Sequence, residues 1–129
     1  MPRQRKKLKM WFDYPDDPDN GKLEICNLDS QDIAAITAAA VQHRTVYDTE
    51  TRTTRPEQIF HPLLDRQETA VRCITDWQDF YDEDGKPMPC TAANKRQWAC
   101  DATFMTFVNK SRQIVDEQFA EAQADLTKN

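Results

Sequence analysis

At 129 residues, with 30% charged side chains and a mean hydropathy of −0.83, the chain is sized for one domain with a modest core. Trp, Phe, Ile, Leu and Val recur at regular spacings, which sets it apart from disordered sequences, and no apolar run approaches the roughly 18 residues of a membrane span. Net charge is −5 but uneven: Arg3, Arg5, Lys6, Lys7 and Lys9 give the first ten residues five positive charges, leaving −10 for the remainder.

Residues 1–9 read as a basic flexible arm, and residues 10–129 as a single domain. Such an arm either holds phosphates by counter-ion release or serves as a tail that aids solubility and pairs with the acidic body. No aromatic residue interleaves with the basic ones before Trp11, so stacking on single strands has little support. No apolar segment follows the basic start, so it is not read as a secretory signal and the protein is expected to stay in the cytoplasm.

Leu8, Met10, Trp11, Phe12 and Tyr14 place a first strand over 7–14, and Leu23, Ile25 and Cys26 a returning one over 22–28. Between them lies a run of turn residues ending in Asn20-Gly21, a strong hairpin signal. Residues 10–28 are therefore expected to form a β-hairpin, which needs a helix over one face to be stable. Asp29 or Ser30 caps that helix, expected over 29–44, with Ile33, Ile36, Ala40 and Val41 as its apolar stripe. Residues 45–55 are rich in Thr and charge and read as either a short hairpin or a loop. Leu63, Leu64, Gln67, Ala70, Val71, Ile74 and Trp77 recur at helical spacing, predicting a helix over 62–78 opened by Pro62.

An ordered loop over 79–91 follows. Gly85 can take the positive φ of a tight turn after Asp84, and Pro87 and Pro89 hold Lys86 and Met88 extended. Thr91 caps the next helix, with Asn94 as its capping-box partner. Trp77, Gly85, Pro87, Pro89 and Thr91 thus make a structural joint. Helices over 92–125 complete the chain: a short one carrying Trp98, then one of about 24 residues capped by Asp101. Phe104, Phe107, Val108, Ser111, Ile114, Val115, Phe119 and Ala122 line one side of it. The expected fold is α+β, mainly α: an N-terminal β-hairpin packed on a small bundle of about four helices, with a long C-terminal helix.

Chemistry is sparse. Asp76, Asp79, Asp82, Glu83 and Asp84 crowd one turn, but no frame through them supplies both the sixth-position Gly and the twelfth-position Glu of an EF-hand. A general acid or base needs desolvation, and these carboxylates read as a solvated turn. Cys26, Cys73, Cys90 and Cys100 form no Cys-x-x-Cys, and His43 and His61 do not sit at ligand spacing from them, so all four thiols are read as structural and no metal or cofactor is expected. With only two glycines there is no phosphate cradle, and there is no Gly-x-Ser-x-Gly elbow. The reading is of a protein that is not an enzyme.

The stretch Asp76-Trp77, then Asp84-Gly85, then Pro87-Met88-Pro89-Cys90-Thr91 and Asn94-Lys95, resembles the tail assembly chaperones of long-tailed phages and prophages. The likeness runs more loosely upstream to Cys73 and downstream into the Phe104 to Val108 helix, covering about half the chain. It implies a non-catalytic protein of the host cytoplasm that binds the tape-measure protein, helps recruit tail-tube subunits and leaves the finished particle. Self-association is open. On this reading Phe107, Ile114, Val115 and Phe119 of the protruding last helix are the expected partner contacts. The alternative is a structural tail component, or a small adaptor that binds nucleic acid through Arg3, Arg5, Lys6, Lys7 and Lys9.

Overall fold

The computed structural model describes residues 6–127, and side chains as far as residue 124. The fold is α+β, with strands carrying more of it than the mainly helical expectation allowed. Strands β1 (Lys9–Asp13) and β2 (Lys22–Cys26) form the expected hairpin, with Trp11 opposite Glu24 and Phe12 opposite Leu23. The connection is built around Asp17 and not a two-residue Asn-Gly turn. Its carboxylate accepts the N–H groups of Asp19 (3.1 Å) and Gly21 (2.8 Å), and Tyr14 N–H closes the loop on the Gly21 carbonyl at 2.8 Å. A Cβ on Gly21 would lie 2.7 Å from Asp17 Oδ2 and 3.0 Å from the Phe80 ring, so any other residue would displace the carboxylate that holds the turn.

Helix α1 (Ser30–Ala40) starts at a full capping box. Asp29 accepts from Asp32 N–H at 2.8 Å, and Asp32 accepts from Asp29 N–H at 3.1 Å. The helix stops at Ala40, four residues short of expectation, and turns directly into β3 (Val41–Asp48). Strand β4 (Thr53–Phe60) returns against β3, so the undecided 45–55 segment is the outer half of a long hairpin and not a loop. Its residues are almost all exposed or half-buried, and its attachment to the body is mainly at its root beside α1.

Helix α2 (Pro62–Cys73) is also shorter than predicted, because Ile74–Gln78 is strand β5 and pairs antiparallel with β2. The helical spacing misleads for a physical reason. A bulge between Glu24 and Ile25 shifts the register, so Ile74 and Trp77, three residues apart, both face the core. The resulting sheet has the order β1-β2-β5. Helices α3 (Ala92–Trp98) and α4 (Ala102–Thr127) follow, and Asp101 accepts the N–H groups of Thr103 (2.9 Å) and Phe104 (3.2 Å) at the start of α4.

The core lies between the three-stranded sheet and the helices, with α4 across β1 and β2. Leu23, Ile25, Ile74, Phe104, Val108 and Val115 are fully buried in it. Burial of six such side chains stabilises the fold by roughly 1.5–3 kcal/mol each. An aromatic chain runs through its edge: Trp77 stacks on Phe80 (centroids 4.9 Å apart), Phe80 meets Trp98 edge-on (5.1 Å), and Trp98 leans on Phe104 (5.3 Å). None of the described helices is long and apolar enough to cross a membrane.

Candidate functional site

The joint that the sequence singles out is a strand–loop–helix connection centred on Met88. Trp77 Nε1–H donates to the Met88 carbonyl at 2.7 Å, and Trp98 Nε1–H points at the Met88 sulfur at 3.4 Å. Pro87 and Pro89 keep Met88 extended between the two indoles, and Met88 N–H closes on the Phe80 carbonyl at 2.8 Å. Gly85 has φ +78°, the left-handed value its turn requires, and Pro87 bridges back to Tyr81. Thr91 caps α3 by accepting Asn94 N–H at 3.2 Å. The reciprocal half of that capping box does not form: the Asn94 amide turns instead to the Pro89 carbonyl at 2.9 Å. Met88, the residue that both tryptophans grip, is the one that sequence spacing missed.

The acidic residues of this joint serve its turns. Asp82 Oδ1 accepts the N–H groups of Asp84 and Lys86, each at 2.9 Å, and Asp76, Asp79, Asp82, Glu83 and Asp84 are all exposed. Among the described residues no three His, Cys, Asp or Glu side chains converge as metal ligands would.

Among the described residues the most strongly perturbed carboxylate lies elsewhere, on α1. Asp32 is buried on the same face as Ile36 and Ala40, while Ile33, expected to be buried, is 48% exposed. Burial pushes the Asp32 carboxyl up, but the Lys7 ammonium, the Asp29 N–H and the Arg72 guanidinium together outweigh it and hold the group at about 2. Arg72 lies 3.1 Å away and also reaches Glu68 at 3.2 Å. The charge node therefore ties the chain start, α1 and α2 together. The sequence signal for it was an Asp four residues before Ile36 and eight before Ala40, in phase with the buried stripe.

This node corrects the arm. Lys7 is committed to Asp32, Leu8 N–H donates to Asn27 Oδ1 at 2.7 Å, and Lys9 begins β1, so 7–9 belong to the folded body and not to a flexible arm. Lys6 and Lys9 are exposed, while Arg3 and Arg5 lie outside the described residues.

The expected contact residues on α4 separate. Val115 is fully buried in the core and offers a partner nothing, a correction that follows from its packing under the sheet. Phe107 is half-buried, edge-on to Tyr14 at 5.3 Å, and Phe119 is half-buried. Ile114 is 44% exposed. Leu63 and Leu64, which open the helical spacing of α2, are also exposed. An open groove of ≈300 Å³ lies where α1, α2 and α4 meet, lined by Leu28, Ile33, Ile36, Thr69 and Arg112 among others. Arg112 bonds Asp116 through Nη1 at 3.0 Å, and its Nε–H is buried without a partner.

The four cysteines are free. Burial pushes the Cys73 thiol up to about 12, and burial also raises Cys26, whose Sγ lies 3.5 Å from the Arg72 carbonyl. Cys90 is half-buried and Cys100 exposed.

Comparison with family models, with curated proteins and with solved structures finds no match for the chain.

Proposed function

We propose that the protein is a non-catalytic tail assembly chaperone of a phage or prophage, acting in the host cytoplasm on the tape-measure protein and helping to recruit tail-tube subunits. The observation that carries this reading is the likeness of the Asp76 to Lys95 stretch to that family. The geometry supports it by bringing several residues of the motif into one joint: Trp77 on Met88, Gly85 in its turn, Thr91 at the helix start.

A chaperone of this kind covers apolar helical stretches of its client until tube subunits replace it. The groove between α1, α2 and α4 offers a seat for such a helix, with Leu28, Ile33 and Ile36 as apolar lining. Exposed Ile33 therefore joins Ile114 as a contact residue, in place of buried Val115.

The test is co-expression of the tagged chain with the tape-measure protein encoded beside it. The expected result is a soluble complex, weakened at least about tenfold by Ile33→Glu while the circular dichroism spectrum stays native. A client that stays insoluble and unbound in its presence would remove the chaperone reading.

A further inference from the structure

The β3–β4 ribbon has one closed edge and one open edge. Among the described residues these two strands make a sheet of their own, with nothing paired to the outer side of either. The His61 N–H donates to the Ala40 carbonyl at 2.8 Å, one step beyond the Val41–Phe60 pair. Antiparallel ladders alternate, so Gln42, Arg44, Val46 and Asp48 exchange their bonds with β4. The N–H and C=O groups of His43, Thr45 and Tyr47 therefore face away from it. On β4, the outward-facing set includes Pro56, directly opposite Thr45. Its missing N–H costs the ladder nothing there and blunts that edge against further pairing. Strand β3 has no such block.

We propose that the open edge of β3 pairs with β3 of a second copy of this chain, antiparallel, about a two-fold axis through Thr45. The edge is self-complementary. Centred on Thr45, His43 meets Tyr47 of the second copy and Thr45 meets its counterpart, and every outward-facing pair exchanges two bonds. Arg44 then lies opposite Val46 and Gln42 opposite Asp48, so no like charges meet. A shift that centres the axis on Arg44 sets that charge against itself, which is destabilising. A shift that centres it on Val46 moves His43 past the end of the strand, opposite Thr49 in the turn.

Side-chain placement favours the same arrangement. Residues of one parity put Arg44, Asp48, Arg55 and Glu57 on one face, with Arg44 Nε bonded to Glu57 at 2.8 Å. The other face carries Thr45, Tyr47, Pro56 and Phe60 and no Asp, Glu, Lys or Arg. Tyr47 (59% exposed) and Phe60 (58%) are the most exposed large hydrophobic residues described. The two-fold axis runs perpendicular to the sheet, so both uncharged faces join into one surface. A two-stranded ribbon is marginal alone, and pairing makes it a four-stranded sheet. Such a dimer forms from the chain alone, without any client.

The test uses the full chain. Sedimentation equilibrium should show a reversible dimer, and Thr45→Pro, which blunts β3 as Pro56 blunts β4, should weaken it by about thirty-fold or more. In a Cys90→Ser, Cys100→Ser background, Thr45→Cys should form an intermolecular disulfide on mild oxidation, since paired Cα atoms about 5.5 Å apart lie within disulfide reach. Thr54→Cys, on the far strand of the joined sheet, should not cross-link. If Thr45→Pro unfolds the ribbon, the cross-link decides. A chain that stays monomeric at all concentrations, or a dimer in which Thr45→Cys does not cross-link, would overturn the proposal, whatever else then pairs with this edge.

Discussion

Asp32 shows how a single buried charge organises this chain. Its carboxylate holds Lys7, Arg72 and the Asp29 N–H at once, so removing it strands Lys7, leaves Arg72 with Glu68 alone and takes away half of a capping box. Asp32→Asn is expected to cost about 2–4 kcal/mol in urea unfolding. The pH dependence has a definite sign. The folded-state pKa of about 2 lies below the ordinary 3.8, so this contribution is complete above about pH 4 and is lost as the pH falls through 2. Denaturant midpoints measured between pH 5 and 2 should fall in the native chain, and fall less in Asp32→Asn. Thiol chemistry gives a second residue-level outcome. Cys100 is exposed and should alkylate readily in the native state, whereas Cys73, fully buried with its thiol raised to about 12, should react only on unfolding. Mass spectrometry after timed iodoacetamide treatment checks both. Much of this scale was legible beforehand. Gly85 in its turn and Thr91 as a cap follow from local chemistry. Asp32 did not, because its partners stand 25 and 40 residues away in sequence.

The elements divide by how local their determinants are. The turn of the first hairpin and the caps at Asp29 and Thr91 depend on residues within a few positions of each other. The sequence places the hairpin and the Thr91 cap and narrows the other cap to Asp29 or Ser30. The ends of α1 and α2 depend on partners far along the chain. Val41 and Ile74 continue the helical apolar phase and still donate their N–H groups to the Thr37 and Ala70 carbonyls. Yet each is the first residue of a strand, because the segments they open pair with β4 and β2, partners that no local signal announces. The bulge at Glu24–Ile25 then hides the period of two that would have marked β5. For α4 the count of residues was close, 26 against about 24, but the face was mixed. Val115 and Val108 point into the core while Ile114 does not. Truncation after Ser111 should therefore remove a core residue and unfold the protein, with loss of the cooperative thermal transition, and not merely detach a partner surface.

At the scale of the whole molecule, three surfaces stand apart from the core: the Met88 joint, the groove between α1, α2 and α4, and the β3–β4 ribbon. The joint is occupied with holding itself together, its tryptophans and turn residues bonded internally. The groove and the ribbon leave apolar side chains exposed, Ile33 in one and Tyr47 and Phe60 on the other, and neither was visible in the sequence as a surface. The groove joins residues as far apart as Leu28 and Arg112, and the ribbon's two faces emerge only once β3 and β4 are in register. A chaperone that leaves its client would use such surfaces transiently, whereas a tail component would bury them for good. Quantitative mass spectrometry of assembling lysates and of purified finished tails separates the two most directly. The account predicts that the chain accompanies the tape-measure protein in the lysate and is absent from finished tails. Its presence there in fixed proportion to the tube subunits would contradict it.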